Sequence, residues 1–372
     1  MATVDAHADD HHHDDHDHPP FIAHHFDDAE QQFDSGKLGI WLFLVTEVLF
    51  FSGLFVAYTL YRNHHPEIFQ QAHVFLDKYL GGLNTIVLLF SSLTMALAVR
   101  SAQLGRNKNC GIYILITMVC ASMFLGVKAV EYSHKWDMGI WVRSSWSSDA
   151  DSLSYGHHEG QLGIAKSLGV SDRLIWLSAI PAVLLAGSLI ASVIGFVTKK
   201  ELFGKFMLAM SVMVGGYFLG AGVGQVYQNV KEGSGDSHEH ASLQEQQPMQ
   251  LLAMTQEDQD HADDDKKSDD ADHSHDEEHS HGSEKAEYDK EHPDPETLDR
   301  DIGIFFSIYY CMTGLHAIHI IAGIIALAWI YWRCLAGHWR SDYFGPVDYV
   351  GLYWHLVDLI WIYLFPLLYL ID

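Results

Sequence analysis

Seven long apolar stretches constrain the fold of this chain more than any other feature of its sequence. Each reaches the roughly 20 residues that an α-helix needs to cross the hydrocarbon core of a bilayer. Backbone polar groups must be paired in lipid, and the sequence lacks the ten-residue strands of alternating polarity that are typical of a membrane β-barrel. The sequence therefore predicts an all-α, polytopic membrane helix bundle with seven transmembrane helices. The predicted spans cover residues 38–61, 80–104, 110–132, 174–198, 203–227, 303–332 and 350–371.

The charge of the chain is concentrated in two segments outside these spans. Residues 1–38 hold ten acidic residues and one lysine, a net charge of −9, and residues 230–301 hold 24 acidic and six basic residues, a net charge of −18. The remaining 262 residues carry a net charge of +1, and no basic patch is present that would meet nucleic-acid phosphates. Segments this poor in apolar residues bury too little surface to offset the entropy of ordering, so we expect residues 1–36 and 230–300 to be disordered.

Both acidic segments are also rich in histidine, with eight histidines in residues 1–34 and eight in residues 232–299. Imidazole interleaved with carboxylate binds Zn²⁺ or Cu²⁺ weakly. A solvated, charged tether needs no ligand, and an acidic loop also attracts a cationic partner through its field. No fixed ligand spacing selects among these three roles, so we predict no defined metal site and favour the tether.

The distribution of Lys and Arg indicates how the chain is oriented in the membrane. Nine of these residues flank the spans on the side of the N-terminus, against six in the short segments of the other side. This bias predicts that the N-terminus lies inside and the C-terminus outside. In a bacterial inner membrane, which is the location we expect, the N-terminus is then cytoplasmic and the C-terminus periplasmic. The predicted organisation is an acidic N-terminal segment at 1–36, spans at 37–132, an outer loop at 133–173, a helix pair at 174–229, an acidic outer loop at 230–300 and two spans at 301–372.

Glu47 is the most informative ionisable residue, because it lies deep within the first span. It is about nine residues, or roughly 13 Å along a helix, from the inner end of that span. An unpaired charged carboxylate at this depth costs several kcal/mol, so Glu47 is expected to be protonated or to have a partner. A proton-exchanging acid and an interhelical hydrogen bond are equally compatible with the sequence.

Four further ionisable groups occur in pairs on the last two spans. His316 and His319 share one face of the sixth span, and His355 and Asp358 share one face of the seventh. The His–Asp spacing allows the pair to share a proton. A buried polar network is favoured over a metal site, because haem or copper would draw on more intramembrane histidines than these three.

Two other patterns favour structural roles. Glu131, which ends the third span, follows Lys128 at a spacing that allows a mutually neutralising pair. Small residues at four-residue intervals on the fifth span predict close helix packing. These residues are Gly216, Gly220 and Gly224. No catalytic residue is predicted anywhere in the chain.

Five motifs occur in a fixed order along the chain. They are Lys37–Phe43 leading to Glu47, Leu83–Ser92, Glu131–Tyr132, Gly314–His319 with Gly323, and Tyr353–Trp361. Together they resemble the helices of subunit III of the haem–copper oxidases. Residues 137–300 interrupt this family pattern, and they contain the inserted pair of spans four and five.

The resemblance implies a non-redox membrane subunit that holds phospholipid and no haem or copper. Its implied partners are the catalytic subunit I and subunit II, which carry the haem and copper. It also implies that Glu47 is the acid that reacts with hydrophobic carbodiimides and supports proton uptake. The implied function is subunit III of a cytochrome c oxidase, which reduces oxygen to water. The negative charge of the acidic outer loop favours cytochrome c as the electron donor, because a cationic protein would be attracted to it.

Two other functions stay open. Subunit III of a quinol oxidase is the close alternative. A proton-coupled metal transporter is the alternative of another class, although we find no inverted repeat of the kind that many transporters contain.

Overall fold

The computed structural model describes residues 26, 28–137, 140, 171–260, 295–341 and 343–371. Within these residues the chain forms eight α-helices and one short 3₁₀ helix, at His73–Phe75, and contains no β-strand. Most of the histidine-rich segments, at 1–25 and 261–294, lies outside the described residues. The helices are α1 (Ala29–His64), α2 (Pro66–Ala72), α3 (Lys78–Gln103), α4 (Asn107–Asp137), α5 (Asp172–Val197), α6 (Glu201–Asp260), α7 (Pro295–Leu335) and α8 (Gly345–Tyr369).

Seven of these helices contain a segment long and apolar enough to cross a membrane. The segments comprise α1, α3, α4, α5 and α8 as a whole, Glu201–Lys231 of α6 and Gly303–Leu335 of α7. Helix α2, with seven residues, is too short. The predicted all-α bundle of seven membrane helices is therefore confirmed.

Several helices extend beyond the spans that hydropathy predicts. Helix α6 continues to Asp260 and α7 begins at Pro295, so the expectation of disorder does not hold for residues 232–260 and 295–300. A helix already nucleated in the membrane adds residues without a new nucleation step. Residues 241–260 are also rich in Leu, Gln, Glu, Met and Ala, which favour helix.

The N-terminal acidic segment is likewise shorter than expected, because α1 begins at Ala29. Asp28 caps this helix, since its Oδ1 accepts a hydrogen bond from the Gln31 backbone N–H at 2.6 Å. An aspartate at this position satisfies an amide that the helix itself leaves unpaired. The cap explains why the helix starts before the apolar run does.

Helix α4 lies at the centre of the bundle and packs against α3, α5, α6 and α7. Helix α8 packs against α3, α7 and α1, while α1 and α5 lie at the periphery. Polar contacts align α8 with α3, since Trp354 Nε1 donates to Ser91 Oγ at 2.8 Å and Trp361 Nε1 donates to Thr85 Oγ1 at 3.1 Å. This arrangement brings the polar residues of α4, α7 and α8 into the interior.

The α5–α6 hairpin is attached to the bundle along the glycine stripe of α6. A Cβ at Gly216 would lie 2.7 Å from the backbone oxygen of Val119, and one at Gly224 would lie 3.2 Å from Cβ of Val130. A Cβ at Gly220 would overlap the backbone carbonyl of Met123. The three glycines thus allow the α6 backbone to approach α4 closely.

Candidate functional site

A half-buried acid–imidazole pair joins α1 to α7. Glu47 Oε2 lies 2.9 Å from His319 Nε2, and His319 Nδ1 lies 2.7 Å from the backbone oxygen of Leu315. A carbonyl oxygen only accepts, so Nδ1 must carry a proton. Nε2 then either donates a second proton towards an ionised Glu47 or accepts one from a protonated Glu47. In both arrangements the pair is neutral overall and shares one proton.

The surroundings of this pair are largely apolar and aromatic. The Glu47 and His319 side chains are each 18% exposed. The ring of Phe51 meets the His319 imidazole edge to face, with 5.1 Å between the ring centroids. The Tyr353 hydroxyl donates a hydrogen bond to the backbone oxygen of His319 at 2.9 Å. The sequence required either a proton or a partner for Glu47, and the geometry supplies a partner that can also hold the proton.

A second buried acid lies in a cluster formed by α4, α7 and α8. Glu131 Oε2 is 2.7 Å from Lys128 Nζ, and its Oε1 is 2.7 Å from Lys135 Nζ. Tyr309 and Tyr369 both donate hydroxyl hydrogen bonds to Oε1, at 2.8 and 2.6 Å. One carboxylate thus receives four donors, and we call these five residues the Glu131 cluster.

Aromatic rings complete the Glu131 cluster. Lys128 Nζ lies 4.5 Å from the ring centroid of Trp361 and 4.9 Å from that of Tyr369, while Lys135 Nζ lies 4.7 Å from that of Tyr309. Two ammonium groups face one carboxylate, so the cluster has an excess positive charge when all three groups are ionised. The faces of the aromatic rings attract this positive charge where water is excluded. These contacts favour a structural role for the Glu131 cluster, in which it holds the three helices together.

His316 is not part of the Glu47 pair, although it lies one turn from His319. Its ring stacks on that of Trp361, with 5.4 Å between the ring centroids, and meets the ring of Phe124 edge to face, with 5.6 Å between the centroids. It is 1% exposed, and neither ring nitrogen has a hydrogen-bond partner within the described part of the chain. His316 therefore takes part in no hydrogen-bonded network formed by the described residues.

His355 and Asp358 also differ from the pattern that their spacing suggests. His355 Nδ1 lies 2.7 Å from Ser92 Oγ on α3. Asp358 is 2% exposed and faces the same Ser92, but its oxygens accept no hydrogen bond of ordinary geometry from the described residues. The His–Asp pair that the spacing allows is therefore not formed by ordinary hydrogen bonds among the described residues, and His355 instead makes an interhelical contact between α8 and α3.

The structure distributes the four histidine and aspartate groups over three separate places. His319 pairs with Glu47, His316 stacks on Trp361, and His355 contacts Ser92. Among the described residues, no group of three or more His, Cys, Asp or Glu side chains is arranged to hold a metal ion.

Three members of the Glu131 cluster are absent from the residues that the sequence singles out. Lys135 lies four residues after Glu131, a spacing that predicts a helical ion pair, but hydropathy ends the span at 132 and assigns Lys135 to a loop. In the structure α4 reaches Asp137, and Lys135 is 2% exposed. Tyr309 and Tyr369 come from other helices, so no local signal in the sequence connects them to Glu131.

A further polar cluster, at the start of α3, was also not predicted. Asp77 Oδ1 accepts hydrogen bonds from the backbone N–H groups of Tyr79 and Leu80 at 2.9 and 3.2 Å. It also accepts one from the Tyr227 hydroxyl at 3.1 Å, and Lys231 Nζ lies 2.8 Å from Oδ2. These contacts tie α6 to the beginning of α3, and we call this set of five residues the Asp77 cap.

The charge state of Asp77 follows from opposing effects. Burial raises the pKa of its carboxyl, whereas hydrogen bonds from Lys231 and from the Leu80 and Tyr79 amides, together with the positive charge of Lys231, lower it. The lowering effects prevail, so the pKa of Asp77 lies below its usual value. The carboxyl group of Asp77 is therefore ionised at neutral pH.

Comparison with known proteins identifies the C-terminal helices. Residues 297–372, which contain all of α8 and nearly all of α7, match the family model described as cytochrome c oxidase subunit III. This segment is therefore similar to subunit III of the cytochrome c oxidases. His319, Tyr309 and Tyr369 lie within the matched segment, whereas Glu47 and Glu131 lie outside it. Both acids thus connect other helices to the matched segment.

Individual relatives match over similarly short stretches. A cytochrome c oxidase subunit 3 from Thermostichus vulcanus is 39% identical over 70 residues, which cover 18% of this chain and 35% of the relative. One from Synechocystis sp. is 41% identical over 70 residues, 18% of this chain and 30% of the relative. A haem–copper oxidase subunit I+III from Aeropyrum pernix is 36% identical over 75 residues, 20% of this chain and 9% of the relative.

The chain spans about a third or less of the length of these curated relatives. No solved structure matches it significantly.

Proposed function

We propose that this chain is the non-redox subunit III of a cytochrome c oxidase and supports the catalytic subunit during reduction of oxygen to water. The family match of residues 297–372 carries this proposal. The contacts of that segment with α1, α3 and α4 extend the argument to the rest of the bundle. Haem and copper then belong to the partner subunits I and II, and phospholipid is the ligand of this chain.

The peripheral helix α1 supports the part of the proposal that concerns lipid and partner subunits. Its large apolar side chains remain exposed, for example Leu42 at 63% and Leu49 at 67%. Such a surface is stable only against lipid tails or another membrane helix. Glu47 lies on this same helix, so the proton-sharing pair is close to whatever covers α1.

We assign the role of supporting proton uptake to the Glu47–His319 pair. A group that supports proton uptake must gain and lose a proton without moving far, and this pair can place its shared proton on either partner. A hydrophobic carbodiimide requires a protonated carboxyl in an apolar setting, and the form with the proton on Glu47 provides one. The pair therefore has the chemistry that the proposed role needs.

Carbodiimide labelling of the intact complex tests this assignment. We expect the Glu47→Gln variant to assemble and to lose labelling of this chain by a hydrophobic carbodiimide. Glu67→Gln is the matched control, because Glu67 is an exposed glutamate at the start of α2, and this variant should label like the wild type. Labelling that persists in Glu47→Gln would assign the reactive acid to another residue.

The acidic segment at 230–300 favours cytochrome c over a quinol as the electron donor. Its net negative charge attracts a cationic partner at low ionic strength. Deletion of residues 232–299 should flatten the dependence of cytochrome c oxidation on salt concentration. Equal salt dependence in the deletion variant, or turnover with quinol alone, would favour the quinol oxidase alternative.

The proposed location is a bacterial inner membrane, with the N-terminus in the cytoplasm and the C-terminus in the periplasm. The asymmetry of Lys and Arg supports this orientation. Because Lys135 is buried in the Glu131 cluster, it no longer counts among the loop charges of the outer side. Leaving Lys135 out of the count increases the excess of Lys and Arg on the side of the N-terminus, and the proposed orientation depends on this excess.

A further inference from the structure

Two cysteines from different helices face each other at one end of the bundle. Cys110 lies in the first turn of α4 and Cys334 in the last turn of α7, and their sulfur atoms are 3.4 Å apart. Cys110 is 0% exposed and Cys334 is 5% exposed. All four cysteines of the chain are free thiols, and of the other two Cys120 is half-buried and Cys311 is exposed.

The surrounding structure holds these two thiols together. Gly111 follows Cys110, and a Cβ at Gly111 would lie 3.5 Å from Cβ of Cys334, so the two helices approach closely at this level. Asn107 Nδ2 donates to the backbone oxygen of Trp339 at 2.8 Å, and the Trp339 backbone N–H donates to Asn107 Oδ1 at 3.1 Å. This reciprocal pair fixes the turn after α7 against the first residue of α4.

We propose that Cys110 and Cys334 form a redox-active dithiol that a hydroperoxide converts reversibly into an interhelical disulfide. A disulfide bond is about 2.05 Å long, so the sulfurs must approach each other by roughly 1.4 Å. Side-chain rotation at the ends of two helices supplies such a movement. The proposal does not depend on the role of the chain in an oxidase.

The reaction balances with one hydroperoxide for each disulfide. The first thiol reduces hydrogen peroxide to water and becomes a sulfenic acid. The second thiol attacks that sulfur, the S–S bond forms, and its thiol proton leaves with the hydroxyl group as a second water molecule. Two electrons pass from the two sulfurs to the peroxide, and thiol–disulfide exchange with an external thiol restores the reduced pair.

The disulfide would have a defined effect on the bundle. It would link α4, at the centre, to α7, which belongs to the matched subunit III segment, and would close a loop of more than 200 residues between positions 110 and 334. Closing a long loop restricts the unfolded chain, which raises the melting temperature. The oxidised form should therefore melt at a higher temperature than the reduced form.

Peptide mapping of the intact complex in its native membrane tests the proposal. The sample is treated with hydrogen peroxide, its remaining thiols are blocked with N-ethylmaleimide, and it is digested without reduction for mass spectrometry. We expect a cross-linked peptide that contains Cys110 and Cys334, that is absent before oxidation and that disappears with dithiothreitol. Cys120→Ser and Cys311→Ser should retain this peptide, and Cys334→Ser should lose it.

Three results would overturn the proposal. They are persistent N-ethylmaleimide labelling of both cysteines after oxidation, separate oxidation of each to sulfinic acid, and pairing of either with Cys120 or Cys311. The map of the wild type decides the question even where a variant fails to fold. In the wild type, peroxide should also raise the melting temperature in detergent by several degrees, and this rise should be absent in Cys334→Ser.

Discussion

Two glutamates within the membrane helices of this chain are stabilised in different ways, and the difference sets what each can do. Glu47 has one partner, His319, and the pair can place its proton on either group. Glu131 accepts from two ammonium groups and two tyrosine hydroxyls. These four donors come from three helices and hold the Glu131 carboxylate in one position. Proton exchange therefore fits Glu47, and a fixed structural charge fits Glu131.

The Glu131→Gln substitution tests the structural role. It leaves two buried lysines facing a neutral amide, so the free energy of unfolding in detergent should fall by about 3–5 kcal/mol. Glu201→Gln is the matched control, because it removes a similar helical ion pair, with Lys205, that is largely exposed. Its effect should stay below about 1 kcal/mol. Equal losses in both variants would show that the Glu131 cluster does not stabilise the bundle.

At the scale of helices, two of the contacts that hold the α5–α6 hairpin differ in kind: the glycine stripe against α4 and the Asp77 cap on α3. The first contact depends on close backbone approach, and the second depends on charge. The two contacts should therefore respond to different perturbations.

Alanine substitutions on α6 test the glycine contact. Gly220→Ala places a methyl group against the Met123 carbonyl and should destabilise the protein by about 1–3 kcal/mol. Gly222→Ala, on the open side of the same helix, meets no atom within 4 Å and should be neutral or stabilising, because alanine favours helix. Thermal unfolding of both variants in detergent gives the comparison. A loss in Gly222→Ala as large as in Gly220→Ala would argue against close packing along the stripe.

Acid titration tests the charge contact. The pKa of folded Asp77 lies below its usual value, so the contribution of Asp77 to stability is complete above the unfolded pKa of about 3.9. It is then lost as the pH falls through the lower, folded pKa. Wild type should therefore be more stable than Asp77→Asn at pH 7, and the difference should shrink in acid. A difference that is constant with pH would mean that Asp77 acts through packing alone.

The helices of this fold were predictable from the sequence, whereas their ends and their mutual contacts were only partly so. The length of the apolar stretches is enough to predict the seven spans. A segment that crosses lipid outside a closed β-barrel must pair its own backbone groups, and only a helix does so. The ends depend on caps such as Asp28 and on helix propagation into polar sequence, which hydropathy does not register. For this reason Lys135 was assigned to a loop instead of to the Glu131 cluster.

The candidate site was predictable residue by residue but not as a set of contacts. Burial and charge identified Glu47, Glu131 and the histidines, because an ionisable group in a span needs an explanation. Which groups meet depends on helix order and rotation. His319 therefore pairs with Glu47 from α1, and Asp358 does not pair with its sequence neighbour His355.

At the scale of the whole molecule, residues 297–372 resemble subunit III of cytochrome c oxidase, whereas the family model does not match the other helices. Helices α7 and α8 contact α1, α3 and α4, and the interactions of Glu47 and Glu131 connect α1 and α4 to them. Under the proposed function, the chain supports partner subunits and contains no reaction centre of its own.

Purification of the complex through a tag on this chain tests whether it is a non-redox subunit of an oxidase. We expect haem-containing partner subunits to copurify, and iron and copper to stay with those partners when the subunits are separated. The separated chain should contain neither metal in stoichiometric amount. Recovery of the chain alone, with one iron or copper bound per chain among its helices, would rule out the proposed function.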